Sequence, residues 1–216
     1  METEEVMERW EEYIRELFDD DRIENLEVCI NEEGPSIIKD EVENAIRKMK
    51  TGKLTGEDEI AVEMLVALED YGLDIVTEIV NGIYESGEIG PQLYRSTFIP
   101  IPKNVETLDC NKHRTISIMN HITKILLKVI LNRIRNKILP EISNEQCGFM
   151  KGKGTRNAIF ILRSLMERVI EVNKKLYICF VDFEKAFDKV KHEHLIKMLE
   201  ELELDGKNLR LIKNLY

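Results

Sequence analysis

Apolar residues recur every three or four positions along most of this chain, and that spacing predicts a helix-rich fold. Val6, Trp10, Tyr13 with Ile14, and Leu17 with Phe18 line one face of a helix over 4–18, which the run Asp19-Asp20-Asp21 should end. Asn31 to Pro35 reads as a loop, and Asp40 or Ser36 is placed to cap a second helix with Val42, Ile46 and Met49 on its face. Lys50 to Gly56 is a loop with two glycines and two lysines. Helical patterns follow over 60–70 and 73–86, with breaks expected at Gly72 and Gly87. Ser96 to Lys103 (STFIPIPK) reads as a short strand; its prolines cannot donate to a ladder, so it should be an edge or end early. His113 to Ile118 alternates as an antiparallel partner would.

Residues 120–139 form a strong helical pattern, with Ile122, Leu126, Val129, Ile130, Ile134 and Ile138 on one side. Lys124, Lys128, Arg133, Arg135 and Lys137 line the other, and Pro140 marks the end. Asn144 to Thr155 is a loop rich in glycine (Gly148, Gly152, Gly154) that carries Lys151 and Lys153, and a helix is expected from Arg156 to Val172. Leu176 to Val181 is an unbroken apolar run, the mark of a strand buried on both faces. Helices over 191–203 and 206–216 follow, and no internal repeat is present.

With 43% hydrophobic residues over 216 positions the chain can bury a real core, and no apolar run approaches the ~18 residues of a membrane span. The acidic N-terminus lacks a secretory apolar segment. Cys29, Cys110, Cys147 and Cys179 stand singly, which suits a reducing compartment. The expected location is therefore intracellular, nucleus or cytoplasm, with no membrane partner. The net charge of −10 conceals an asymmetry: residues 1–45 hold 17 acidic and 4 basic side chains, whereas residues 110–163 hold 11 Lys/Arg against 2 Glu. On charge alone the basic middle reads equally as a phosphate-attracting surface or as a solvated face.

Asp182 ends the apolar run Leu176 to Val181. Ligands bind open sheets outside the carboxyl ends of strands, and Mg²⁺ takes one or two carboxylates plus substrate phosphates. The alternative is a cap for the turn Phe183 to Phe187, and Asp188 reads best as a cap for the helix near Lys191. A hairpin would bring Lys103 and Arg114 onto one side, the arginine offering a bidentate fork and the lysine a point charge to a triphosphate. Neither glycine-lysine loop has P-loop spacing, Cys110-x-x-His113 has no second pair at finger spacing, and His192-Glu193-His194 is not a zinc-protease motif.

Five blocks in order carry a family likeness. They are Gly52 to Asp58 with Ile60 and Glu63 to Leu65; Ser96 to Lys103; Asp109 to Ile118 running on to Asn132-Arg133-Ile134; Gln146 to Phe149 with Gly152 to Thr155; and Phe180 to Val190 (FVDFEKAFDKV). Together, residues 46–216 resemble the reverse transcriptase of non-LTR (LINE-like) retrotransposons, nearest to the RTE/BovB-like clade. The resemblance implies an α+β, helix-rich fold, the fingers and incomplete palm of a right-hand polymerase; residues 1–45, which carry no family motif, read as an acidic helical extension before it. It implies an RNA template, a DNA primer, dNTP substrates and two Mg²⁺ ions. Asp182 matches the first metal-binding aspartate and the Phe183 carbonyl helps hold the second ion. Phe187 matches the aromatic gate against a 2′-hydroxyl, Arg114 the triphosphate arginine and Lys103 the finger lysine. Gln146, Gly148 and Phe149 match a segment near template and nucleotide. Lys124, Lys128, Arg133, Lys151 and Lys153 are the expected RNA-contacting cations.

The chain departs from the family pattern in three ways. No Y/F-A-D-D hairpin occurs, Glu59 stands where a glycine is usual, and Met150 stands where many members carry arginine. One carboxylate cannot fix two divalent ions, so no polymerase activity is expected of these residues alone. The alternative reading is a non-catalytic RNA-binding or protein-interaction relic, its acidic helix docking a partner or covering the basic middle.

Overall fold

Most of the periodic segments become helices, and those of the core bury their apolar stripes against one another. A computed structural model describes residues 3–18, 33–67, 69–104 and 107–216. The expected helix stop at Asp19-Asp20-Asp21 lies outside them. The chain divides into two units, residues 1–135 with 190–216, and residues 136–189.

The first unit holds α1 (Thr3–Phe18), α2 (Lys39–Arg47), α3 (Val62–Ala67), α4 (Glu69–Ser86) and the short α5 (Pro91–Tyr94). A hairpin of β1 (Ser96–Pro102) and β2 (His113–Met119) follows, then α6 (His121–Ile138). The helices α8 (His192–Glu201) and α9 (Gly206–Leu215) complete the unit. Its core is one cluster to which α2, α4, α6, α8 and α9 all contribute, with Val42, Val80, Tyr84, Ile125, Val129, Ile196 and Leu211 all but sealed from solvent. Burial of side chains of this size contributes about 1.5–3 kcal/mol each before entropy is counted.

Two local expectations are corrected and a third is met. Neither Ser36 nor Asp40 caps α2: its N-cap is Ile38, whose N–H donates to the Glu41 side chain at 3.0 Å, while the Ser36 hydroxyl donates to Glu85 at 2.7 Å. The break at Gly72 does not occur, because α4 runs through that residue and buries it; packing outweighs the roughly 1 kcal/mol intrinsic penalty of a helical glycine. The break at Gly87 does occur. That residue is left-handed (φ 73°), and its N–H closes the helix on the Ile83 carbonyl at 2.8 Å. From α9, Arg210 donates to the Glu85 carbonyl at 2.6 Å and Asn214 to the Gly87 carbonyl at 2.8 Å, so one helix satisfies the carbonyl end of another.

Gly56 marks the closest approach between the 50–61 loop and the start of α6: a Cβ there would lie 2.8 Å from the Asn120 Cα. Three residues on, Glu59 adopts a left-handed conformation (φ 53°), which a glycine takes more readily than a glutamate.

The second unit contains α7 (Thr155–Glu171) and little else that is regular. Cys147 is its one buried hydrophobic residue. Ile159, Phe160, Leu165, Met166 and Ile170 of α7 are exposed. The strand expected over Leu176 to Val181 is absent: the segment is unpaired, and Tyr177, Phe180 and Val181 are 86%, 80% and 74% exposed. A strand buried on both faces needs a neighbour on each side and layers above and below. Among the described residues the only sheet is the hairpin of β1 and β2.

Candidate nucleotide and nucleic-acid site

The hairpin register pairs Ile101 with Arg114, Ile99 with Ile116 and Pro102 with His113. Beyond the last pair, the Lys103 N–H donates to the Lys112 carbonyl at 2.8 Å. That bond sets the phase: residues 103, 101 and 99 turn their N–H groups toward β2, whereas Pro100 and Pro102 face the open edge, where a missing donor costs nothing. Opposed and alternate residues share a face, so Lys103, Ile101 and Arg114 project to one side. All three are exposed. The Lys103 ammonium also reaches the Asn111 carbonyl at 3.4 Å.

On the other face, the Trp10 ring of α1 meets the His113 ring edge-on with centroids 5.1 Å apart, and it meets Tyr13 at 5.6 Å. The His113 Nδ1 donates to the Asp109 carbonyl at 2.9 Å, and the Asp109 side chain accepts from the Asn111 N–H at 3.0 Å. Through Trp10, α1 thus touches the hairpin.

Of the expected RNA-contacting cations on α6, Arg133 is committed elsewhere. Its Nε and Nη2 make a two-pronged bond to Glu41 at 2.7 and 2.6 Å. The same guanidinium donates to the carbonyls of Pro35 at 2.6 Å and Ser36 at 2.8 Å, and it lies 5.1 Å over the Tyr84 ring. Its side chain is only 12% exposed. The Glu41 bond above all raises the guanidinium above its ordinary value, against the effect of burial. Burial raises the Glu41 carboxyl, but bonds from Arg133 and the Ile38 N–H outweigh this and hold it below the ordinary range. Four of its five N–H donors are thus engaged inside the fold, which leaves this guanidinium little to offer a phosphate. Lys124 and Lys128 are half-buried; burial, then the neighbouring Lys48 charge, lowers the Lys128 ammonium.

At the start of α6, His121 is buried, and burial followed by the Lys124 charge lowers it below its ordinary value. Asp58, Glu63 and a backbone bond to Ile60 pull the other way and do not prevail.

In the second unit, Asp182 lies at the end of the unpaired stretch and is exposed, not set in the mouth of a buried sheet. Asp188 does not cap α8, whose N-cap Lys191 has no side-chain bond. The structure does bring the glycine-rich loop to the turn after Asp182: Phe149, in a left-handed conformation (φ 58°), meets Phe187 edge-on at 5.6 Å. Gln146 donates to the Gly148 carbonyl at 3.3 Å, and the Lys153 ammonium to the Asn144 carbonyl at 2.6 Å, while Lys151 is exposed. Gly148 has open space where a side chain would start.

For Mg²⁺ the donors on offer are the Asp182 carboxylate and the Phe183 carbonyl. No group of three or more His, Cys, Asp or Glu comes together among the described residues. This donor set does not assemble a shared two-ion site, which needs further carboxylates. No helix among the described residues is long and apolar enough to cross a membrane.

Comparison with known proteins adds what geometry cannot. A family model described as reverse transcriptase (RNA-dependent DNA polymerase) matches residues 101–216. The chain is 28% identical over 180 residues to the RNA-directed DNA polymerase from mobile element jockey of Drosophila funebris, covering 82% of this chain and 20% of that protein. It is 24% identical over 180 residues to the uncharacterized 149 kDa protein of transposon TX1 of Xenopus laevis, covering 83% and 14%. It is 24% identical over 194 residues to the retrovirus-related Pol polyprotein from type-1 retrotransposable element R1 of Bradysia coprophila, covering 86% and 18%. The chain therefore spans a fifth or less of the length of these relatives.

Proposed function

Because this chain belongs to the reverse transcriptase (RNA-dependent DNA polymerase) family, in its non-LTR retrotransposon branch, we propose that residues 46–216 supply the fingers and first palm segment of an RNA-directed DNA polymerase. The finer placement is RTE/BovB-like. The ligands are an RNA template, a DNA primer and a dNTP. The observation that carries this reading is the open face of the hairpin, where Lys103 and Arg114 stand together at and just inside the start of the matched residues.

In this reading Arg114 grips phosphate oxygens with its planar fork and Lys103 adds a mobile point charge. Phe187, backed by Phe149, forms the flat wall where a ribose would place its 2′-hydroxyl. Gln146 and Gly148 lie on the loop carrying that aromatic partner. Lys124, Lys128, Lys151 and Lys153 attract the template backbone. The family's chemistry runs through divalent ions, and Asp182 with the Phe183 carbonyl is this chain's share of that donor set. With a single carboxylate, residues 1–216 alone do not polymerise.

Anisotropy of a labelled single-stranded RNA tests the reading. Binding at low salt should weaken as salt rises, with a log–log slope of about −0.7 for each phosphate contacted. The K124A/K128A variant should flatten that slope. No binding at low salt, or binding indifferent to salt, overturns the RNA interface. Primer extension by the purified chain should give no cDNA, and any templated product overturns the inactivity. The second reading is a non-catalytic RNA-binding or protein-interaction relic. Under it RNA binding persists while saturable triphosphate binding at Arg114 is absent.

A further inference from the structure

A two-stranded hairpin is marginal by itself in water, and three or more strands or a packed helix are needed to hold it. Here β1 is exposed along all but its first residue. Nothing in its composition makes the Arg114 end firmer: the pairs flanking Ile101–Arg114 are Pro100–Thr115 and Pro102–His113, and neither proline donates a bond. The support comes from behind. Trp10, half-buried on α1, rests edge-on against the His113 ring, and Tyr13 beside it is 6% exposed. His113 and Arg114 are adjacent in one strand and therefore point to opposite faces. Through Trp10 the helix touches the back of the hairpin at His113, the face opposite to Lys103, Ile101 and Arg114.

We infer that Trp10 is a positioning residue for Arg114: packed on His113, it fixes the strand that presents the guanidinium, without touching the ligand. The inference rests on the reading of Arg114 as a phosphate-gripping residue. Six glutamates and two arginines on α1 keep the rest of that helix solvated, while Val6, Trp10, Tyr13, Ile14, Leu17 and Phe18 turn inward. The acidic helix is thus a brace and not a cover. It does not compete with a polyanion for the cationic face, because it lies on the other side of the sheet.

The full chain, labelled with ¹⁵N and titrated with inorganic triphosphate, tests this through the Arg114 Nε–H signal and the Ile101 amide. Removing the fork in R114A should weaken saturable binding at least about tenfold, as expected for a hydrogen bond between charged groups. W10A should weaken it about two- to tenfold, the range of one aromatic pair, and W10F, which keeps a ring there, should recover most of the loss. The W10A/R114A double variant should bind no worse than R114A. Should W10A fail to fold, H113A removes the other ring and carries the same expectation. If R114A binds as tightly as the parent, the phosphate-gripping reading of Arg114 falls, and the inference with it. If R114A loses binding while W10A and H113A do not, the inference alone falls. If W10F fails to rescue and the whole chain melts earlier, Trp10 supports the fold generally and positions nothing.

Discussion

Removing the Arg133 guanidinium would leave the Glu41 carboxylate with only the Ile38 N–H, and would take this donor from the carbonyls of Pro35 and Ser36. R133A should therefore destabilise the chain by roughly 1.5–3 kcal/mol, the scale of a lost hydrogen bond to a charged group, read from the urea midpoint. R133K should recover only part, since an ammonium cannot span both carboxylate oxygens and two carbonyls in one plane. The same residue marks the boundary of what sequence pattern conveys. Its place on the polar side of a basic helix was legible. Its partner was not, because Glu41 lies 92 positions away and only packing brings the two together. Arg114 is the opposite case: strand alternation and a nearby proline-bearing strand put it beside Lys103 before any coordinates are consulted.

Among elements, the hairpin and nearly all helices follow from periodicity, which the spacing displays whether or not the stripe ends up buried. Leu176 to Val181 does not. Six consecutive apolar residues declare a preference for burial, but burial is satisfied only by neighbours. Within residues 136–189 no second strand is there to pair. Amides of 176–181, which donate to no backbone carbonyl among the described residues, should exchange with solvent far faster than those of α6 in a hydrogen-exchange experiment. Protection of these amides equal to that of α6 would show a pairing absent here. The Phe149–Phe187 contact joins two segments that sequence alone marks only by family likeness, and neither composition nor spacing signals that their rings meet.

For the whole molecule, acid is the vulnerable direction. His121 is held below its ordinary value of 6.5, so the unfolded chain takes up that proton first as pH falls. Its contribution is complete above that value and declines beneath it. Glu41 is held below 4.5, so its contribution is present above 4.5 and is lost as pH falls through the lower folded value. Urea midpoints should therefore hold steady down to about pH 6.5, fall in a first leg, and fall again in the carboxylate range. His121→Gln should flatten the first leg whatever it does to absolute stability, and an unchanged leg would place the titration elsewhere. At this scale the amino-acid sequence by itself determined the helix-rich character, the hairpin, the split between acidic front and basic middle, and the family, because each resides in local spacing or ordered motifs. Only the tertiary structure decided that Arg133 is an internal clamp, that Trp10 of the acidic helix meets His113 of the hairpin, and that Asp182 ends an exposed stretch. Those outcomes depend on which distant surfaces meet, and burial and pairing are properties of contacts, not of residues.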